Sequence, residues 1–177
     1  MIRKIFCIGF HKTATTSLQV ALEQLGIICL GYDAGLMNRY ADGDIEEVLS
    51  VIPQYDAFRD WPWPLLYQTL AESIPDAGFI LTIRDSLEWL ESIKRHAERT
   101  GPTLARRIVY GAEMPHGHES HYLDVYNRHN EDVVRFFSGS AHLLILRIEA
   151  GITYKPLCDF LGKPIPELEY PHVYKTR

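Results

Sequence analysis

The densest group of residues able to do chemistry lies in Met1-Ile-Arg-Lys-Ile-Phe-Cys-Ile-Gly-Phe-His-Lys-Thr-Ala-Thr-Thr-Ser-Leu18. Lys12 puts a full positive charge into a short polar stretch, and Thr13, Thr15, Thr16 and Ser17 surround it with hydroxyl donors. Ile2 to Ile8, just before it, is apolar and β-branched, as expected of a strand covered on both faces. After it, Leu18, Leu22 and Leu25 recur at helical spacing, so Leu18 to Leu25 reads as an amphipathic helix. A strand, a tight loop and a helix start make an anion trap, because the first N–H groups of a helix lack internal acceptors and its dipole favours negative charge. The expected guest is a phosphate or sulfate, held by Lys12 and by the main-chain N–H groups of Thr13, Ala14, Thr15, Thr16 and Ser17. His11 either touches that anion or packs under it. The generic alternative is a strand, a turn and a helix carrying a surface lysine.

The loop does not match the nucleotide-triphosphate pattern G-x-x-x-x-G-K-[ST]. Counted from Gly9, that pattern needs glycine at position 14 and lysine at position 15, where this chain has Ala14 and Thr15. It resembles instead the phosphosulfate loop of sulfotransferases, P-K-[ST]-G-T-[ST], in the form that Gly9-Phe-His-Lys-Thr-Ala-Thr-Thr-Ser-Leu18 shares with small bacterial-type members. The resemblance implies a P-loop α/β fold and 3'-phosphoadenosine-5'-phosphosulfate (PAPS) as co-substrate. Lys12 would be catalytic, and the loop would hold the 5'-phosphosulfate.

Two further segments extend the likeness. Ile83-Arg-Asp-Ser-Leu-Glu-Trp-Leu-Glu-Ser-Ile93 is similar to R-[DN]-P-x-x-W-x-x-S, with Ser86 in place of proline, which implies that Arg84 and Ser92 hold the 3'-phosphate. An arginine fork suits a phosphate; the plain alternative pairs Arg84 with Asp85. Phe58-Arg-Asp-Trp-Pro62 resembles the segment that carries the family's catalytic base, which places Asp60 in that role. An acceptor hydroxyl must lose its proton as its oxygen attacks sulfur, and a carboxylate in reach can take it. Asp60 could otherwise cap a helix starting near Trp63. Trp61 and Trp63 would wall the acceptor pocket or serve as core aromatics. Late in the chain, Tyr126-Asn-Arg-His-Asn130 with Val133 and Phe136-Phe137 resembles another family segment, as does Lys155 to Pro164 with Pro166 and Tyr170-Pro-His172. Besides Ser86, the chain departs from the family at Tyr154, where tryptophan is common, in its short length, and in the loop. Ala14 replaces a loop glycine, at a cost if φ is positive there, and Ser17 stands where a tryptophan often stacks on adenine.

The elements that must position these residues alternate. After the first strand and helix come a strand at Ile27–Leu30, a loop over 31–44 that can close over a site, a short helix over Ile45–Ile52, and a weak strand at Tyr55–Arg59. A helix over Leu65–Ser73 precedes the clearest strand, Gly78–Arg84. The next helix spans Leu87–Lys94, with Asp85 or Ser86 able to cap it. Helices over Pro102–Tyr110 and His121–Phe137 follow, then a buried strand at Leu143–Leu146, a helix at Tyr154–Leu161 and a proline-rich tail from Gly162. Alternation of this kind predicts a three-layer α/β domain around a mostly parallel sheet of about five strands. Ligands in such folds sit at the carboxyl ends of the strands, so residues near 9–17, 59–64 and 84–86 should converge.

Composition narrows the function. The 177 residues fit one domain over 1–177, and the net charge of −5 argues against nonspecific nucleic-acid binding. It also requires that an anionic co-substrate be held by a local positive cluster. No apolar run reaches membrane-span length and the first strand starts at Ile2, so the expectation is a cytoplasmic protein with no membrane partner. Cys7, Cys29 and Cys158 read as reduced core thiols. His116, His118 and His121 lack the spacing of a metal site and are expected to line a lid; His129 is expected to be structural. The leading expectation is transfer of a sulfuryl group from PAPS to a hydroxyl, or less favourably an amine, of a small molecule without a metal. An ATP-dependent small-molecule kinase and a nucleotide-binding homologue without turnover are the alternatives.

Overall fold

The computed structural model describes residues 4–173. Five strands, β1 (Ile5–Cys7), β2 (Cys29–Leu30), β3 (Ala57–Arg59), β4 (Gly78–Ile83) and β5 (Leu143–Arg147), form one sheet in the order β2-β3-β1-β4-β5. Every pairing is parallel. The helices are α1 (Thr15–Gln24), α2 (Ala34–Asp42), α3 (Ile45–Leu49), α4 (Tyr67–Ser73), α5 (Ser86–Thr100), α6 (Leu104–Tyr110), α7 (Glu119–Phe136) and α8 (Tyr154–Leu161). The fold is the expected three-layer α/β arrangement. The strand expectation at Ile2 falls outside the described residues.

Alternation along β1 divides the core. Phe6 and Ile8 point into one layer, where Phe6 stacks on Phe58 at 5.0 Å and Val133 of α7 and Phe137 just after it join them. Ile5 and Cys7 point into the other, against Leu18 and Leu22 of α1 and Leu157 of α8. Successive side chains of a strand face opposite sides, so four consecutive residues, Ile5 to Ile8, serve both layers. A third cluster, with Phe10, Trp61, Trp89, Tyr110, Tyr122 and Tyr126, sits beyond the sheet at the carboxyl end of β1 and forms the floor of the site.

Two expectations need correction. The segment over 31–44 is largely helix: Asp33 accepts from the N–H groups of Gly35 and Leu36 and so starts α2, whose Leu36 and Met37 are buried. The cap and the buried pair outweigh the glycine-rich composition. β5 is not a buried strand but an edge strand, with Ile145 and Arg147 exposed and only Leu146 fully covered. Among the described residues, no helix is long and apolar enough to cross a membrane.

Candidate active site at the carboxyl edge of the sheet

Parallel register brings the expected segments together. Cys7 lies level with Arg59 of β3 and Ile80 of β4, so the chain leaves β1 and β3 side by side while β4 runs on to Ile83. Gly9 allows the loop to pass close to β4. A Cβ there would lie 2.1 Å from Thr82 Oγ1 and 2.6 Å from the Thr82 carbonyl oxygen, contacts no side chain tolerates. The loop is then stapled to β4, with the Thr13 hydroxyl donating to the Phe10 carbonyl at 2.5 Å and lying 2.6 Å from the Thr82 hydroxyl. The expectation that Thr13 offers its hydroxyl to an anion is therefore corrected. That hydroxyl is fully buried and engaged, and only its N–H remains for a ligand.

Three non-glycine residues among those described have positive φ: Lys12 at 69°, Ala14 at 65° and Asp60 at 68°. All three belong to the expected site. A left-handed conformation costs about 1–2 kcal/mol for a residue with a Cβ, and such strain collects where local structure serves a ligand. Ala14 forms the entry to α1 with no side-chain cap. The N–H groups of residues 13–17 find no acceptor among the described residues, which leaves an uncompensated bundle of donors at the positive end of the helix. Thr15 and Ser17 are buried there, and the Ser17 hydroxyl accepts from the N–H of Val173, so the tail reaches the start of α1.

Charges of both other segments act on Lys12. Burial lowers its pKa first, followed by the positive charges of Arg99, Arg84 and Arg95, while Asp60 opposes them. The half-buried Asp60 carboxylate accepts from the Trp61 N–H at 3.0 Å and pairs with Arg59 at 3.2 Å. Burial raises its pKa above the usual carboxylate value, against the pull of the Trp61 N–H, Arg59 and Lys12. A carboxylate so destabilised in its charged form is a stronger proton acceptor. Asp60 also accepts, through its main-chain oxygen, from the Trp63 N–H, so its carboxylate does not cap the turn that starts at Trp63.

Arg84 does not pair with Asp85. Asp85 caps α5 by accepting from Leu87 and Glu88, and the Arg84 guanidinium reaches Glu88 at 3.2 Å. Glu88 is 60% exposed, so that pair is weak and a phosphate can replace it. The main chain of Arg84 is fixed by Tyr126, whose hydroxyl accepts from the Arg84 N–H and donates to the Arg84 carbonyl, each at 2.9 Å. Ser92 lies buried on the same helix. Arg84 also borders a groove of about 720 Å³ lined by Ser86, Asn127, Asn130 and Arg147.

The aromatics divide by role. Trp63 packs against Phe6 and Phe58 in the core, while Trp61 packs against Phe10 at 4.7 Å and His11 at 5.4 Å, on the site side. His11 stacks on Tyr110, with Nε2 2.9 Å from the Tyr110 hydroxyl, and burial pushes its pKa down to about 3. It packs beneath the loop as a neutral ring, and its carbonyl accepts from Trp89 Nε1. His129 is structural, donating from Nε2 to the Ile8 carbonyl at 2.7 Å and stacking on Phe10. His116 pairs with Glu98. No group of three or more His, Cys, Asp or Glu converges as a metal site among the described residues.

Sequence reading missed Arg95, His96, Arg99 and Arg106. The first three follow Ser92 at helical spacing and were readable as one face of α5; Arg106, folded back onto the α5–α6 junction, left no such signal.

Three comparisons bear on this arrangement. A fungal protein described as Ava biosynthesis cluster protein M, from Aspergillus versicolor, is 23% identical over 215 aligned positions, covering 96% of this chain and 80% of the relative. The crystal structure of a sulfotransferase from Alicyclobacillus acidocaldarius superposes with a TM-score of 0.58 at 16% identity, over 100% of this chain and 87% of that one, so the two share a fold. The family pattern described as a sulfotransferase domain matches residues 4–177. It takes in the loop, the Asp60 segment and the Arg84 segment together, and on that match the chain belongs to the sulfotransferase-domain family.

Proposed function

We propose that the protein transfers a sulfuryl group from PAPS to a hydroxyl of a small molecule. The observation that supports this reading is the uncapped start of α1 directly after Lys12, whose ammonium feels the charges of both Asp60 and Arg84. The residues present fit the donor. The free N–H groups of residues 13–17 suit a phosphosulfate, and Arg84 with Ser92 suits the 3'-phosphate.

PAPS supplies an activated sulfuryl group when bound, and the chain supplies the rest. Lys12 and the loop N–H groups would hold the phosphosulfate and would stabilise the charge that gathers on its leaving oxygen, as preorganised donors. Asp60 takes the proton from the acceptor hydroxyl, and burial, by raising its pKa, makes its carboxylate the better proton acceptor. Trp61 shields this side from water. The test is mass-detected sulfate transfer from PAPS by the wild type and Lys12→Ala. A fall of about 10²-fold or more in turnover is expected, the scale of losing one preorganised charge donor. Equal turnover in the two proteins removes Lys12 from the mechanism.

A further inference from the structure

The loop region carries more positive charge than the proposed donor contacts use. On α5, Ser92, Arg95 and Arg99 share a face at spacings of three and four residues, and His96 lies beside them. Each acidic residue of α5 is committed elsewhere: Glu88 to Arg84, Glu91 to Lys94 and Glu98 to His116. Arg95 and Arg99 are exposed and have no carboxylate within ion-pair distance among the described residues. Close by, Arg106 is 2% exposed; its guanidinium bonds the Thr100 and Thr103 hydroxyls and the Gly101 carbonyl, and its Nη1 is buried with no partner. A buried guanidinium without a carboxylate is costly unless another anion offsets it.

This face does not point into bulk solvent alone. Trp89, one turn before Ser92, donates to the His11 carbonyl, and the His96 ring lies 6.2 Å from the His11 ring. The helix therefore crosses over the anion loop. Arg99 is seven residues beyond Ser92, about 10 Å further along the axis. Its charge and that of Arg95 act on the Lys12 ammonium, and His96 between them lies against His11, whose ring also meets Trp61 and Tyr110. The groups that face His96 there are Lys12, Arg106 and Arg99, all cationic, and together with burial they lower its pKa.

We propose that Arg95 and Arg99 form an anion subsite for the acceptor, so that the preferred acceptors carry a carboxylate or a phosphate or sulfate ester besides the hydroxyl that is sulfated. The proposal rests on the sulfotransferase reading above. In it, Lys12, the loop amides, Arg84 and Ser92 serve the donor; Arg95 and Arg99 orient the acceptor so that its hydroxyl meets Asp60.

The test uses the full chain saturated with 3',5'-bisphosphoadenosine and titrated with two matched probes, 4-hydroxyphenylacetate and the neutral alcohol tyrosol, by calorimetry. The acid is expected to bind at least tenfold more tightly. Arg95→Ala and Arg99→Ala are expected to remove that preference and leave tyrosol binding and bisphosphoadenosine affinity unchanged, a combination that a misfolded variant would not give. Phosphotyrosol against tyrosol reports in the same way whether a phosphate ester serves as the anion. Equal binding of acid and alcohol, no binding of the acid, or a loss of bisphosphoadenosine affinity in the arginine variants overturns the proposal. Failure of the wild type to bind bisphosphoadenosine overturns the donor reading on which it rests.

Discussion

Ala14 shows how one side chain records what its position demands. The family pattern has glycine there, and the φ of 65° gives the reason: the chain must pass through the left-handed region to enter α1 with its N–H groups turned outward. Ala14→Gly should relieve this strain and stabilise the protein by about 1 kcal/mol, read as a higher denaturant midpoint at unchanged m-value. Asp60 is the opposite case, a residue whose proposed role as base comes at a cost to stability. Its folded pKa lies above the ordinary 3.8, so the folded state holds the proton more tightly than the unfolded chain does. That contribution to stability is full below 3.8 and is lost as pH rises through the folded value. Asp60→Asn should therefore melt higher than the wild type at pH 7, with the difference vanishing in acid. The same variant should lose about 10²–10⁴-fold in kcat together with the ascending limb of the pH–rate profile. A variant more stable yet inactive is the signature expected of a buried base.

At the level of elements, the loop is held by its approach to β4. Gly9→Ala would drive a Cβ into Thr82, with two of the blocking atoms in the main chain. The strand pair cannot part to make room, so this change should cost more than about 3 kcal/mol and leave little folded protein by circular dichroism. The strands at 27–30, 55–59, 78–84 and 143–146 were readable from their apolar runs, and α8 was readable to the residue. α2 was not, because Gly31, Gly35 and Gly43 mask a helix that depends on the Asp33 cap and on burial of Leu36 and Met37. The edge position of β5 was equally hidden, since strand order is decided by which layers the helices cover, and Leu143–Leu146 reads alike at an edge or in the middle. In the site, Lys12 and Arg84 could be found from charge at strand ends. The proposed role of Asp60 rested on the family likeness, and the Arg95–Arg99 face, though its helical spacing was readable, could be tied to the loop only through the contacts of Trp89 and His96 with His11.

Across the whole molecule, two neutral histidines tie layers together. His129 joins α7 to the end of β1, and His11 joins the loop to α6 through Tyr110. Burial pushes their pKa values down from 6.5 to about 4 and about 3. The unfolded chain takes up protons below 6.5 that the folded chain refuses, so their contribution to stability is complete above 6.5 and is lost as pH falls through the folded values. The melting temperature should drop steeply between pH 6.5 and pH 4, opposite in sign to the Asp60 effect. His129→Gln, which keeps a donor for the Ile8 carbonyl, should flatten that slope.

All three tryptophans of the chain are buried, and Trp89 occupies a particular junction. Its indole N–H holds the loop through the His11 carbonyl, and its ring lies flat on Tyr126 at 4.2 Å, the residue that fixes Arg84. One fluorophore thus touches both halves of the proposed nucleotide cradle. Light emitted by the unlabelled protein is a gauge of that cradle: a guest that tightens either half should alter its colour or lifetime, and the acceptor screen can be run without a dye, a tag or a coupled assay.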